Sequence, residues 1–129
     1  MGSPRVLIVD DEAELVSALT ERLGLRGFQA EGVTDGPAAL ARLAAQGEAA
    51  AERPDVVVVD VKMPGMGGFE LVRAIRSSYP DVRIVLITGH SSVREAEEGM
   101  GLGVFDYLVK PVPIDELVRV LREARESAS

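Results

Sequence analysis

The chain contains no cysteine, no tryptophan and a single histidine, His90. Without cysteine there is no disulfide, no thiolate metal site and no cysteine nucleophile. One histidine excludes a multi-histidine zinc site within the chain. A bound metal would be a hard, oxygen-ligated ion such as Mg²⁺, Mn²⁺ or Ca²⁺. Aromatic residues make up 4% of the sequence, too few for a base-stacking platform. Positive charge is also scarce: 14 Lys and Arg stand against 21 Asp and Glu, for a net charge of −7. That balance repels nucleic acid phosphates and anionic membranes, so neither is expected as a partner of this segment. No apolar run approaches the ~18 residues of a membrane span. The first run, Val6–Val9, is too short for a signal-peptide core and ends on acids. The chain reads as cytoplasmic.

What is present is enough for one packed domain. The 129 residues are 47% hydrophobic and 27% charged, a globular balance, and read as a single domain, 1–129. Short continuous apolar runs at Val6–Val9, Val56–Val59 and Ile84–Ile87 predict strands buried on both faces. Two mixed runs, "FQAEGV" at 28–33 and "VFDYLV" at 104–109, suit the edges of a sheet.

Between the runs the apolar spacing turns helical. Leu15, Val16, Leu19 and Leu23 follow the first strand, and Leu40, Leu43 and Ala44 the second, with Pro37 at a helix start. Leu71, Val72 and Ile75 follow the third. Ile114, Leu117, Val118, Leu121 and Ala124 follow the fifth, behind Pro113. The segment after the fourth strand, "SSVREAEEGMGLG", is the poorest helix, because Gly99 and Gly101 each weaken a helix interior by about 1 kcal/mol. Five β-α units in alternation imply a parallel sheet with helices on both faces.

In such sheets, ligands bind beyond the carboxyl ends of the strands. Asp10 and Asp11 close the first strand, Asp60 the third, Thr88 the fourth and Lys110 the fifth. Each alone has an ordinary explanation. An Asp or Thr after a strand is a turn former or helix cap, Lys110 a surface charge, and His90 a polar loop residue. Together they are harder to dismiss. Three clustered carboxylates raise one another's pKa unless a cation sits among them. The chain also uses lysine at this rim although only two of its 14 basic residues are lysines. Lysine is the compact point charge suited to one phosphoryl oxygen. Carboxylates, a divalent cation, a hydroxyl and an ammonium make a receptor for a phosphoryl group, and a carboxylate can itself be the nucleophile.

The motifs "VLIVDDE" at 6–12, "DVKMPGMGG" at 60–68, "LITGH" at 86–90 and "DYLVKP" at 106–111 occur in order. Through them the chain resembles the receiver domain of bacterial two-component response regulators, from about Arg5 to Glu126. The resemblance implies a doubly wound α/β fold, flavodoxin-like, with five parallel strands in the order 2-1-3-4-5. It implies that Asp60 is the phosphoacceptor and that Mg²⁺ is held by Asp10, Asp11, Asp60 and the backbone carbonyl of Lys62. Asp10 would act through a metal-bound water. Thr88 and Lys110 would meet phosphoryl oxygens, Tyr107 would be an aromatic switch, and Lys110–Pro111 would be cis. The implied partner is a sensor histidine kinase or a histidine phosphotransfer protein. The implied activity is limited to the domain's own phosphotransfer and slow dephosphorylation. The output surface would be formed by the fourth helix, fifth strand and fifth helix, with a homodimer on phosphorylation as one outcome.

Three departures stand out. Gly67 replaces a frequent Asp and suggests a looser loop, the stretch between Leu43 and Pro54 is long, and Gly99 and Gly101 interrupt the fourth helix. A haloacid-dehalogenase-type phosphatase would need an acid two residues after the nucleophile, where Lys62 stands. A P-loop NTPase would need G-x-x-x-x-G-K-[ST], which is missing. A receiver fold that binds partners without phosphorylation would be expected to lack some of these acids or the lysine. The chain reads either as a stand-alone receiver or as one excised from a larger regulator or hybrid kinase.

Overall fold

The three apolar runs form the centre of a five-stranded parallel sheet, and the two mixed runs form its edges. The computed structural model describes residues 2–46, 53–89 and 93–127. Along the chain the elements are β1 (Arg5–Val9), α1 (Ala13–Leu25), β2 (Gln29–Val33), α2 (Gly36–Ala45) and β3 (Val56–Asp60). They continue with α3 (Gly68–Ser78), β4 (Arg83–Thr88), α4 (Val93–Gly101), β5 (Asp106–Val109) and α5 (Ile114–Ser127). The strand order is β2-β1-β3-β4-β5, as expected. The long segment between Leu43 and Pro54 falls largely in 47–52, outside the described residues, as does His90.

Strand alternation explains why the central runs are apolar throughout. Val6, Ile8, Val56, Val58, Val85 and Ile87 pack against α1 and α5. Their neighbours Leu7, Val9, Val57, Val59, Ile84 and Leu86 belong to the opposite layer, with α2 and α3. Each valine so buried contributes roughly 1.5–3 kcal/mol. The helical spacing resolves in the main as expected: α1 buries Val16, Leu19 and Leu23, and α5 buries Leu117, Leu121 and Ala124, with Leu15, Ile114 and Val118 partly buried and Val120, which the spacing did not single out, buried as well. At the start of α2 the Asp35 carboxylate accepts the Ala38 N–H at 2.7 Å, with Pro37 in the first turn.

Two glycines act differently from their sequence appearance. A β-carbon on Gly99 would lie 2.2 Å from Leu86 Cδ1, so Gly99 is where α4 comes down onto β4. A β-carbon on Gly68 would lie 2.3 Å from the carbonyl oxygen of Asp60. Gly68 therefore lets the start of α3 press on the backbone of the strand end. The loop after Asp60 is pinned there: Val61 N–H donates to the Ile87 carbonyl and Gly68 N–H to the Val61 carbonyl, both at 2.9 Å. Gly67 is the N-cap of α3, with ordinary backbone at φ −74° and open space where a side chain would stand.

Candidate functional site at the carboxyl ends of the strands

Among the described residues, the buried polar or charged side chains are Asp10, Asp60 and Thr88. All three sit at one rim. Asp10 follows Val9, the last residue of β1, while Asp60 and Thr88 are themselves the last residues of β3 and β4. Lys110 follows Val109, the register partner of Thr88. Strand parity then sorts the side chains. Asp10, Asp60 and Lys110 continue the series of Ile8, Val58 and Leu108, which packs towards α1 and α5. Thr88 continues the series of Leu86 in the other layer.

The Lys110 ammonium binds this group together. Its Nζ lies 2.9 Å from Asp10 Oδ2, 3.0 Å from Glu12 Oε1 and 3.4 Å from Asp60 Oδ2. Burial would lower the lysine pKa. The close ion pairs with Asp10 and Glu12 and the charge of Asp60 outweigh it, so the group stays protonated. Asp60 is held up instead, to about 6, first by desolvation and then by the charge of Asp10. Lys110 and the Lys62 N–H, which donates to Asp60 Oδ1 at 3.4 Å, offset this only in part. Asp10 Oδ1 accepts the Glu12 N–H at 2.9 Å. Its Oδ2 has the lysine contact but no aligned hydrogen bond.

Asp10, Asp11 and Asp60 each offer a carboxylate oxygen, and these lie within 4.8 Å of one another. Asp11 is exposed while the other two are buried. An all-oxygen set that is short of positive charge fits a hard divalent cation. The rim opens into a concavity of about 390 Å³ lined by Asp11, Glu12, Asp60, Lys62, Gly89 and Lys110. The Lys62 side chain is exposed.

The expected residues Asp10, Asp11, Asp60, Lys62 and Lys110 therefore meet, with Thr88 one position beyond the register partner of Asp60. Tyr107 stands apart from the carboxylates on edge strand β5, 39% exposed. It pairs in register with Leu86, diagonal to Thr88 on the same face. Lys110–Pro111 is cis. Glu12 is the residue that sequence reasoning passed over. It sat inside the "VLIVDDE" motif, but nothing in the linear order shows that its carboxylate crosses to Lys110.

The family described as the response regulator receiver domain matches residues 6–122. The transcriptional regulatory protein PrrA of Mycobacterium leprae is 38% identical over 118 residues, covering 92% of this chain and 48% of that protein. The C4-dicarboxylate transport transcriptional regulatory protein DctD of Rhizobium meliloti is 34% identical over 97% of this chain and 26% of that protein. This chain thus spans half or less of the length of these relatives. Among solved structures, the chemotaxis response regulator CheY4 of Vibrio cholerae superposes with a TM-score of 0.81 at 35% identity, covering 95% of this chain and 98% of that one. The receiver domain of NtrX from Brucella abortus gives 0.85 at 27% identity, with 95% and 98% covered. The carboxylate rim and these likenesses agree: the chain belongs to the response regulator receiver domain family.

Proposed function

We propose that this chain is the phosphoacceptor domain of a two-component phosphorelay, with Asp60 as the residue that takes the phosphoryl group. The observation that carries the reading is the pairing of two buried carboxylates, Asp10 and Asp60 at the ends of the adjoining strands β1 and β3, with one lysine that reaches them from the end of edge strand β5. Buried titratable groups with a specific charge partner, set in a concavity, cluster at functional sites. Mg²⁺ is the cation the donor set suits, through Asp10, Asp11, Asp60 and the Lys62 carbonyl. When bound it supplies positive charge against the phosphoryl oxygens.

The chain's own residues do the rest. Asp60 is fixed by β3 and by the pinned loop after it, so the nucleophile does not have to be ordered during reaction. Its raised pKa makes it a stronger base than an exposed aspartate, and one still ionised in most molecules at neutral pH. One carboxylate oxygen forms the new P–O bond as the P–N bond of a donor phosphohistidine breaks, and the histidine leaves with a proton. The donor is a sensor histidine kinase or a histidine phosphotransfer protein. Lys110 turns one N–H from Asp60 to a phosphoryl oxygen, and the Thr88 hydroxyl donates to another. Water later hydrolyses the acyl phosphate slowly.

The same event reaches the surface through Tyr107. As Thr88 draws towards the phosphoryl group, the diagonal ring of Tyr107 turns inward and alters the face made by α4, β5 and α5. That face binds the partner or a second copy of the chain. The domain occupies the whole of 1–129 and works in the cytoplasm. Incubation with acetyl phosphate and Mg²⁺ should add one alkali-labile phosphoryl group, and Asp60→Asn should prevent it. Equal labelling of the variant would refute the assignment. Beryllofluoride, a phosphoryl mimic, should change hydrogen-exchange protection across residues 93–112. A change confined to the loop after Asp60, with Tyr107→Ala leaving partner binding intact, would remove the switch.

A further inference from the structure

Glu12 occupies the N-cap position of α1, yet its side chain makes no capping bond. N-caps are normally short side chains that fold back onto the helix N–H groups. The Glu12 carboxylate reaches outward instead and takes the Lys110 ammonium at 3.0 Å. A lysine has three N–H donors. Glu12 and Asp10 sit within 3.0 Å of it, leaving Asp60 the longest contact at 3.4 Å. Of the three acids Glu12 is the solvent-facing one, with a side chain 62% exposed against 0% for Asp10 and 5% for Asp60. It lines the same concavity that opens onto Asp60. A donor approaching Asp60 therefore meets a fixed negative charge at the mouth. The cation that would receive its phosphoryl oxygens is already shared with that charge.

We propose that Glu12 determines which phosphoryl donors Asp60 accepts, disfavouring each donor in proportion to its negative charge. The inference rests on Asp60 being the phosphoacceptor. Two small donors separate charge from chemistry. Acetyl phosphate carries two negative charges at neutral pH; its P–O bond breaks and acetate leaves as Asp60 forms the new P–O bond. Phosphoramidate carries one; its P–N bond breaks and ammonia leaves after the nitrogen is protonated. An exposed charge acting near the site changes such a ratio by about two- to fivefold.

The test measures phosphorylation rates with both donors for the wild type, for Glu12→Gln and for Glu14→Gln, an exposed glutamate on α1 that serves as a control for net charge. The ratio of the acetyl phosphate rate to the phosphoramidate rate should rise about two- to fivefold in Glu12→Gln alone, and the rise should shrink as salt is added. A loss of general integrity would slow both donors alike and leave the ratio fixed. In metal-free protein, the Lys110 ammonium protons should exchange with water faster in Glu12→Gln when followed by NMR. A wild type that labels normally, with the ratio unchanged in Glu12→Gln or raised equally in Glu14→Gln, overturns the role of Glu12 alone. A wild type that neither donor labels overturns the reading of Asp60, and this inference with it.

Discussion

Removing the charge of Asp60 should make the metal-free protein more stable, although it removes the proposed reactive group. The carboxyl is held at about 6 in the fold against 3.8 for an unperturbed aspartate. A shift of about two units at ~1.36 kcal/mol each puts the destabilisation from ionised Asp60 at about 3 kcal/mol. The side chain is 5% exposed, so water screens little of it. Asparagine keeps the shape, can still accept the Lys62 N–H and leaves Lys110 its contacts with Asp10 and Glu12. Asp60→Asn is therefore expected to gain about 2–3 kcal/mol in EDTA near neutral or mildly alkaline pH, or roughly 3–5 °C in Tm per kcal/mol.

The pH dependence gives the sharper check. A carboxyl whose folded pKa lies above its unfolded value binds its proton more tightly in the fold. The stability this confers on the wild type is complete below about pH 4 and is lost as pH rises through about 6. The advantage of Asp60→Asn should thus be absent near pH 4, grow between 4 and 6, and level off above. Urea unfolding of both proteins across this range would measure it. An advantage that is absent at alkaline pH, or the same at both ends, would refute the electrostatic reasoning.

The other expectations concern the metal and the glycines. Asp11→Asn should weaken Mg²⁺ binding, followed by thermal stabilisation on titration, without unfolding the protein; unchanged affinity would remove Asp11 from the ligand set. Gly68→Ala should be severely destabilising, at least ~2 kcal/mol, because the new methyl meets the Asp60 carbonyl oxygen at 2.3 Å and backbone cannot yield as a side chain can. Gly67→Asp, one residue away, has room and the N-cap position of α3, so chemical denaturation should show a gain of a few tenths of a kcal/mol. Gly99→Ala should lose about 1 kcal/mol despite the better helix propensity, because Leu86 must move; recovery on adding Leu86→Val would confirm the contact as the cause.

Much of this architecture was legible in the sequence because burial on both faces leaves an unmistakable mark. The runs Val6–Val9, Val56–Val59 and Ile84–Ile87 had no polar break, and the residues directly beyond them had to lie at one rim. The wetter runs at 28–33 and 104–109 lie at the edges for the same reason. Legibility failed where a residue's role depends on what comes near it in space. Gly99 looked like a weak point of α4, but a missing side chain reads the same whether it loosens a helix or lets it approach Leu86. The "GMGG" stretch suggested looseness, yet Gly68 holds α3 against the end of β3 while Gly67 is unconstrained. Glu12 shows the same limit for charge. Which of several neighbouring acids shares Lys110 is set by how α1 leaves the strand, and strand parity alone selects only Asp10 and Asp60.

The most direct test of the central claim is the position of the phosphoryl group. Acyl phosphates are reduced by borohydride, which converts a phosphorylated aspartate into homoserine. The protein should be labelled with acetyl phosphate and Mg²⁺, reduced, digested and sequenced by mass spectrometry. Homoserine at residue 60, and at no other acid, is the predicted result. Homoserine at Asp10 or Asp11 with residue 60 unmodified would contradict it.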